Sequence, residues 1–269
     1  MSVPDTPAYD AVAHVAHLRT TPIKGFTMQE SQSVHLAVDE GVEGDRAFFL
    51  MDERDKLLSA TRTAAFLSYR AHFDTASEVL AIGRGADTVL EERVVVEEPV
   101  RAHFFADRYA TGTVVKGPWS DLLSDIAGER IRLVRATGPL GGFDVHPVSL
   151  LAAASVRALT EGTGGEPVDG RQFRMTVTVD GVPAFTEDTW VGEPVRIGAA
   201  VVRVTTPVRR CAAVQKDPEG AGKGRDALRR IKEVRGTATG APGAGLHLGV
   251  YGDVLESGPV HVGDLLCPA

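Results

Sequence analysis

The sequence has two cysteines in 269 residues, Cys211 and Cys267, far apart and without Cys-x-x-Cys spacing. A four-cysteine zinc site and a four-cysteine iron–sulfur cluster are therefore excluded. A chain of this length needs no disulfide to fold, and Cys267, close to the end, reads as an incidental thiol. No apolar run reaches the length of a membrane span. The opening MSVPDTPAYDAV lacks the basic and apolar segments of a secretory signal. These absences predict a soluble, cytoplasmic protein with no membrane partner. Positive charge is short too: the net charge is −7, which argues against a nucleic-acid partner. There is no G-x-S-x-G, H-E-x-x-H or Walker loop. Glu187-Asp188 sits beside Trp190 without a histidine nearby in sequence, so it forms no glycosidase or protease pair. Gly138–Gly142 is glycine-rich but lacks the spacing of a dinucleotide loop.

What the chain does have is many short segments that alternate with period two. Ser33–Val38, Ala47–Met51, Arg93–Glu98, Arg130–Arg135, Arg174–Val179, Val195–Ile197 and Val201–Thr205 all read as strands. Asp180-Gly181 reads as a tight hairpin turn. Helical patterns are few. They cover Trp119–Ala127 with Ser120 as cap and Gly128 as stop, Ser149–Leu159 with Ser149 as cap and Gly162 as stop, and Asp226–Arg235 closed by Gly236. The fold class this predicts is mostly β or α+β, rich in barrel-like sheet. The segment 236–245 reads as a loop. Lys216–Arg235 carries seven basic residues (Lys216, Lys223, Arg225, Arg229, Arg230, Lys232, Arg235) against four acids (Asp217, Glu219, Asp226, Glu233). It reads either as a solvated helix or as a dock for an acidic partner.

Candidate chemistry centres on Thr205-Thr206-Pro207-Val208-Arg209-Arg210-Cys211, where Pro207 is expected to end an apolar strand. Two arginines next to a cysteine favour its thiolate, the form that attacks electrophiles and binds soft metals. The plainer alternative is a cysteine packed as a small apolar residue. Lys24, in a tight loop after an N-terminal strand, could present its ammonium to a phosphate or simply lie at the surface. Asp45-Arg46 opens the next strand and could pair structurally. Arg62 and Arg174 are further arginines at strand edges, and arginine suits bidentate binding of phosphate. His146, beside Pro147, is placed in a loop.

Taken in order, these segments resemble the MOSC superfamily, named for the C-terminal domain of molybdenum-cofactor sulfurase. The match is nearest to its two-part branch, which includes the mitochondrial amidoxime-reducing component and bacterial relatives. The N-terminal resemblance rests on Thr21–Gly25, Gly44-Asp45-Arg46 and Ala60-Thr61-Arg62. The C-terminal resemblance rests on Phe173-Arg174, Glu187-Asp188-x-Trp190, Ile197-Gly198, Arg210-Cys211, Asp217-Pro218-x-Gly220, Leu248–Tyr251 and Val262-Gly263-Asp264. Together they run from about Val12 to Cys267. The resemblance implies a MOSC N-terminal β-barrel-like domain over 12–130 and a MOSC β-barrel domain over 131–268.

It also implies a molybdenum cofactor, a metal held by a pterin dithiolene and by Cys211. Lys24, Arg46 and Arg174 would hold its phosphate and pterin. Arg210, Tyr251, Asp144, Thr176 and Arg62 would complete the cofactor-binding set. This chain departs from the family at Gly25, Val145, His146, Thr176 and Arg209. The activity implied is reduction of N-hydroxylated or N-oxide-type small molecules, with electrons from a separate redox protein. Two alternatives stay open: a cysteine-based sulfur carrier or thiol group-transfer enzyme without molybdenum, and a carrier that binds the cofactor without turnover.

Overall fold

The computed structural model describes residues 13–138, 141–163, 166–220, 222, 224, 226–239 and 244–269. The opening dodecapeptide, Pro139 and Leu140 of the glycine-rich segment, and Lys223 and Arg225 of the basic segment lie outside the described residues. In chain order come β1 (Ala13–Thr20), β2 (Gln29–Ser31), β3 (Ser33–Ala37), β4 (Gly41–Val42), β5 (Phe48–Asp52), β6 (Tyr69–Asp74), β7 (Val79–Arg84), β8 (Asp87–Arg93), β9 (Val95–Phe105) and β10 (Arg108–Lys116). Then follow α1 (Trp119–Ala127), β11 (Ile131–Thr137), β12 (Val148–Ala152), α2 (Ala153–Glu161), β13 (Val177–Asp180), β14 (Pro194–Ile197) and β15 (Ala200–Arg209). Last come α3 (Ala227–Arg235), β16 (His247–Glu256), β17 (Gly258–His261) and β18 (Leu265–Pro268).

Seven strands close a barrel in the order β13, β12, β16, β15, β14, β18, β1, with β1 returning to β13. The closing seam pairs His14 with Asp180 and Leu18 with Val177, while Ala13 pairs with Leu266 on the other side of β1. Closure removes free sheet edges, which short strands otherwise leave exposed. Period-two patterning fills the interior: Val15, Leu18, Val177, Val195, Val202 and Val250 share one buried core. Earlier residues form a four-stranded sheet, β5-β11-β10-β9, and a three-stranded one, β6-β7-β8. Phe26, Phe48, Phe66 and Trp119 of α1 bury a second core there. Helices α2 and α3 contribute Leu159 and Ile231 to a third core with Phe173, Met175 and Val208. The fold is mostly β with few helices, as the alternation predicts.

Several local expectations change. Leu150 and Leu151 belong to the barrel strand β12, every residue of which is buried, and helix α2 starts only at Ala153. An apolar run buried on both faces carries no period to separate strand from helix. Pro207 does not end its strand. Strand β15 continues to Arg209 against β16, while β14 pairs with it only as far as Arg203. Val204 still exchanges backbone bonds with Gly192 and Glu193 on that edge (2.9 and 3.0 Å), and Pro207 lies past them, where a residue without an N–H is tolerated. Arg174 adopts left-handed backbone (φ 53°) after a 3-10 turn over Gly170–Phe173, which delays β13 to Val177. Asp180-Gly181 leads into a second 3-10 turn (Thr186–Trp190) instead of a two-stranded hairpin. Helix α1 is preceded by Pro118 in place of a Ser120 cap, and its Gly128 stop holds, with φ 71°. Asp226 caps α3 by accepting from the Arg229 N–H.

Candidate functional site

One cleft, about 840 Å³ including its open part, lies where the barrel meets the N-terminal sheets. Lys24 comes from the loop after β1, where its backbone N–H donates to the Phe48 carbonyl (2.9 Å). Asp45, almost fully buried, accepts from the Thr21 N–H (2.7 Å) and so braces that loop. The same carboxylate pairs with Arg46. Burial pushes the Asp45 carboxyl above its usual range, against the pull of Arg46 and the Thr21 amide. Arg46 in turn donates to the Arg174 carbonyl (3.3 Å), which ties the two halves of the chain together at the pocket. Arg46 (φ 50°) and Arg174 (φ 53°) both hold left-handed backbone. Non-glycine residues rarely do so, and such strain concentrates at functional sites.

Charge in the cleft is concentrated and mostly positive. Lys24 is buried and pairs with Asp144 (2.7 Å). Its Nζ also lies 4.7 Å from the centre of the Phe104 ring. Burial pulls the Lys24 pKa below its usual value; Asp144 opposes that, and Arg46 and Arg174 add to it. Burial would raise the Asp144 carboxyl, but Lys24, Arg46 and Arg174 hold it below the usual range. Arg174 is lowered to about 10, first by burial and then by Arg46. Its guanidinium has no hydrogen-bond or ion-pair partner among the described residues. Three cations thus face one space, with less negative charge than would neutralise them.

Cys211 follows β15 and is exposed at this cleft. Its Sγ lies 3.4 Å from the Thr61 Oγ1. Arg210 points the other way along the chain. It donates to the carbonyls of Phe173 (2.9 Å) and Leu248 (2.6 and 2.9 Å), so its donors fasten the pocket wall. Burial lowers it to about 10. Thr176 is buried, with its N–H donating to Ser149 Oγ (3.0 Å) and its hydroxyl 3.2 Å from the same oxygen. Burial raises the Tyr251 hydroxyl, with Asp144 adding to the rise. The Tyr251 ring is 5.9 Å from that of His146, whose Nδ1 is 2.8 Å from Asp253.

The structure therefore gathers Lys24, Arg46, Asp144, Arg174, Thr176, Arg210, Cys211 and Tyr251 around one cleft. It does not bring Arg62 there. The Arg62 guanidinium pairs with Asp52 and with Glu129 (2.7 Å), neither of which lines the cleft. What that loop supplies instead is Ser59, Ala60 and Thr61. Sequence reading also missed Arg108, which donates to the carbonyls of Phe143 (3.0 Å) and Asp144 and so fixes the loop that carries Asp144. The aromatic pair Phe104-Phe105 ahead of a basic residue is the only signal that could have marked it. The basic segment is largely used internally. Arg229 pairs with Asp226 and Glu233, Arg235 pairs with Asp188, and Arg230 is buried.

The donor set suits a ligand that brings both a phosphate and soft metal ligands of its own. Among the described residues no group of three His, Cys, Asp or Glu could by itself hold a metal ion. A metal at Cys211 would take its other ligands from a bound group, and a thiolate suits a soft-ligated metal. The Arg174 guanidinium, without a partner among the described residues, is the kind of cation a phosphate completes. Fold and cleft together define a β-barrel protein with one exposed thiol among converging cations. Residues 137–266, a little under half of the chain, match the model of the MOSC domain family, as the resemblance implied.

Mitochondrial amidoxime-reducing component 1 of Danio rerio is 33% identical over 122 residues, which cover 45% of this chain and 36% of that protein. The match thus spans little more than a third of that relative's length. Among solved structures, the YuaD protein from Bacillus subtilis superposes with a TM-score of 0.45 at 11% identity, covering 95% of this chain and 94% of that one. YiiM from Geobacillus stearothermophilus gives 0.32 at 17% identity, covering 46% and 54%. Among the described residues no helix is long and apolar enough to cross a membrane.

Proposed function

We propose that the cleft binds the molybdenum cofactor and that the protein reduces N-hydroxylated small molecules. The observation that carries this reading is the exposed Cys211 thiol in the same cleft as Lys24, Arg46 and Arg174, whose guanidinium has no hydrogen-bond or ion-pair partner among the described residues. Cys211 would be the protein's ligand to the metal, and Lys24, Arg46 and Arg174 would hold the cofactor's phosphate and pterin. Asp144 and Thr176 offer polar contacts to the pterin, and Tyr251 walls the cleft. When bound, the cofactor supplies two-electron chemistry: an N–OH group, two electrons and two protons give N–H and water. His146, between Asp253 and Tyr251, is suited to pass a proton toward the cleft. Electrons would come from a separate redox protein, because two distant cysteines cannot build a cluster of their own. The similarity to an amidoxime-reducing component supports the substrate class.

The exposure of Cys211 also suits the second reading, a thiol carrier or thiol transferase without metal. Elemental analysis separates the two. Protein from a cofactor-competent host should carry close to one molybdenum per chain, and Cys211→Ala should lose most of it. Absence of molybdenum and pterin, in a host that loads a control molybdoenzyme, would move the assignment to thiol chemistry.

A further inference from the structure

We infer that Arg209 makes the mouth of the cleft selective for substrates that carry a negative charge, a carboxylate above all. The inference rests on the proposed reading that small molecules reach the thiol end of this cleft. Five cations line it: Lys24, Arg46, Arg174, Arg209 and Arg210. Asp144 is the one carboxylate among the lining residues. Most of these cations are already engaged. Lys24 pairs with Asp144, Arg46 with Asp45, and Arg210 with two backbone carbonyls. Arg174 lies deeper and is lowered by burial, which suits it to a phosphate held inside.

Arg209 differs from all of these. It is exposed, stands two residues before Cys211, and its guanidinium has no hydrogen-bond or ion-pair partner among the described residues. Its side chain is also directed by the structure. It lies across Gly245, where an added methyl would come within 2.8 Å of Arg209 Nε and 3.2 Å of Cγ. Gly245 is itself fixed by two backbone hydrogen bonds with Ala238, each 3.0 Å. Guanidinium binds carboxylate through two parallel N–H bonds, so an oriented, unpaired one discriminates by charge and by shape. Asp144, the one lining carboxylate, is taken up by Lys24, so a cationic substrate meets repulsion from Arg209 and an anionic one meets a partner.

Three probes of nearly equal shape test this: benzamidoxime, its 4-carboxy analogue and its 4-trimethylammonio analogue. Titration calorimetry on the purified holoprotein, without an electron donor, gives each dissociation constant with no turnover. The carboxy probe is expected to bind about fivefold tighter than benzamidoxime, and the cationic one weakest, in line with a partly exposed ion pair. Arg209→Gln should erase the difference between carboxy and neutral probes, Arg209→Glu should invert the ranking, and Arg209→Lys should keep most of it. Molybdenum is measured on every sample. Its absence from the wild type would sink the cofactor reading while leaving the charge ranking to be read on the same protein. Equal binding of the three probes to the wild type, no binding of any of them, or an unchanged ranking in Arg209→Gln would overturn the assignment.

Discussion

Arg174 brings the tension between stability and binding down to a single residue. A buried guanidinium without a partner disfavours folding, and this one also sits in left-handed backbone facing Arg46. Its lowering to about 10 corresponds to roughly 3 kcal/mol at neutral pH, and opening to solvent reduces what is felt to about 1 kcal/mol. Arg174→Met in cofactor-free protein is therefore expected to raise the thermal midpoint while lowering the affinity for inorganic phosphate. Calorimetry with and without phosphate reads both, and a lower midpoint together with unchanged phosphate affinity would contradict the account. At this scale the sequence was informative about Lys24, Arg46, Arg174 and Cys211, because each stands in a short segment whose chemistry is recognisable. It was silent on where Arg62 turns, since only the folded chain brings Asp52 and Glu129 to its guanidinium. Arg108 was equally hidden, because its acceptors are backbone carbonyls, which no residue type announces.

Among the elements, the 3-10 turn over Thr186–Trp190 is held to the start of α2 by a buried carboxyl. Glu187 is fully buried, accepts from Ser155 Oγ (2.9 Å) and leaves its Oε1 without a partner. Burial raises it to about 7, and the neighbouring Asp188 adds to the rise. An acid raised on folding takes up a proton, so the stability it lends is complete below pH 4.5 and is lost as pH climbs to about 7. Glu187→Gln cannot ionise. Its stability relative to wild type should improve between pH 5 and pH 8 by up to about 3 kcal/mol. Urea unfolding at both values measures this, and a difference that stays constant with pH would refute the assignment. The amphipathic elements α1, α3, β3 and β11 were readable because one face meets water. The misread ones, β12 and the far end of β15, are governed by neighbours: a strand buried on both faces, and a proline made harmless by the end of β14.

For the molecule as a whole, the barrel and the N-terminal sheets meet closely, and Gly220 marks one contact. It takes φ 115°, and an added methyl would lie 2.5 Å from the Ser68 nitrogen and 2.8 Å from its Cα. Neither backbone can give way cheaply, so Gly220→Ala should cost about 2–4 kcal/mol and separate the halves of the cleft. Thermal unfolding combined with phosphate binding tests it. A variant as stable as wild type would mean that this contact is soft. The closed order of the barrel was beyond the sequence, since its seam joins strands about 160 residues apart. That seam also dictates a timetable for synthesis. Strand β1 needs β13 on one side and β18 on the other, so a ribosome must deliver residue 265 before the barrel closes. Until then Lys24 and Arg46 have emerged, but the ring of staves that fixes their distance from Cys211 is open. Any group that fills the cleft is therefore a late arrival, inserted through the mouth of a finished protein and not wrapped by a growing one.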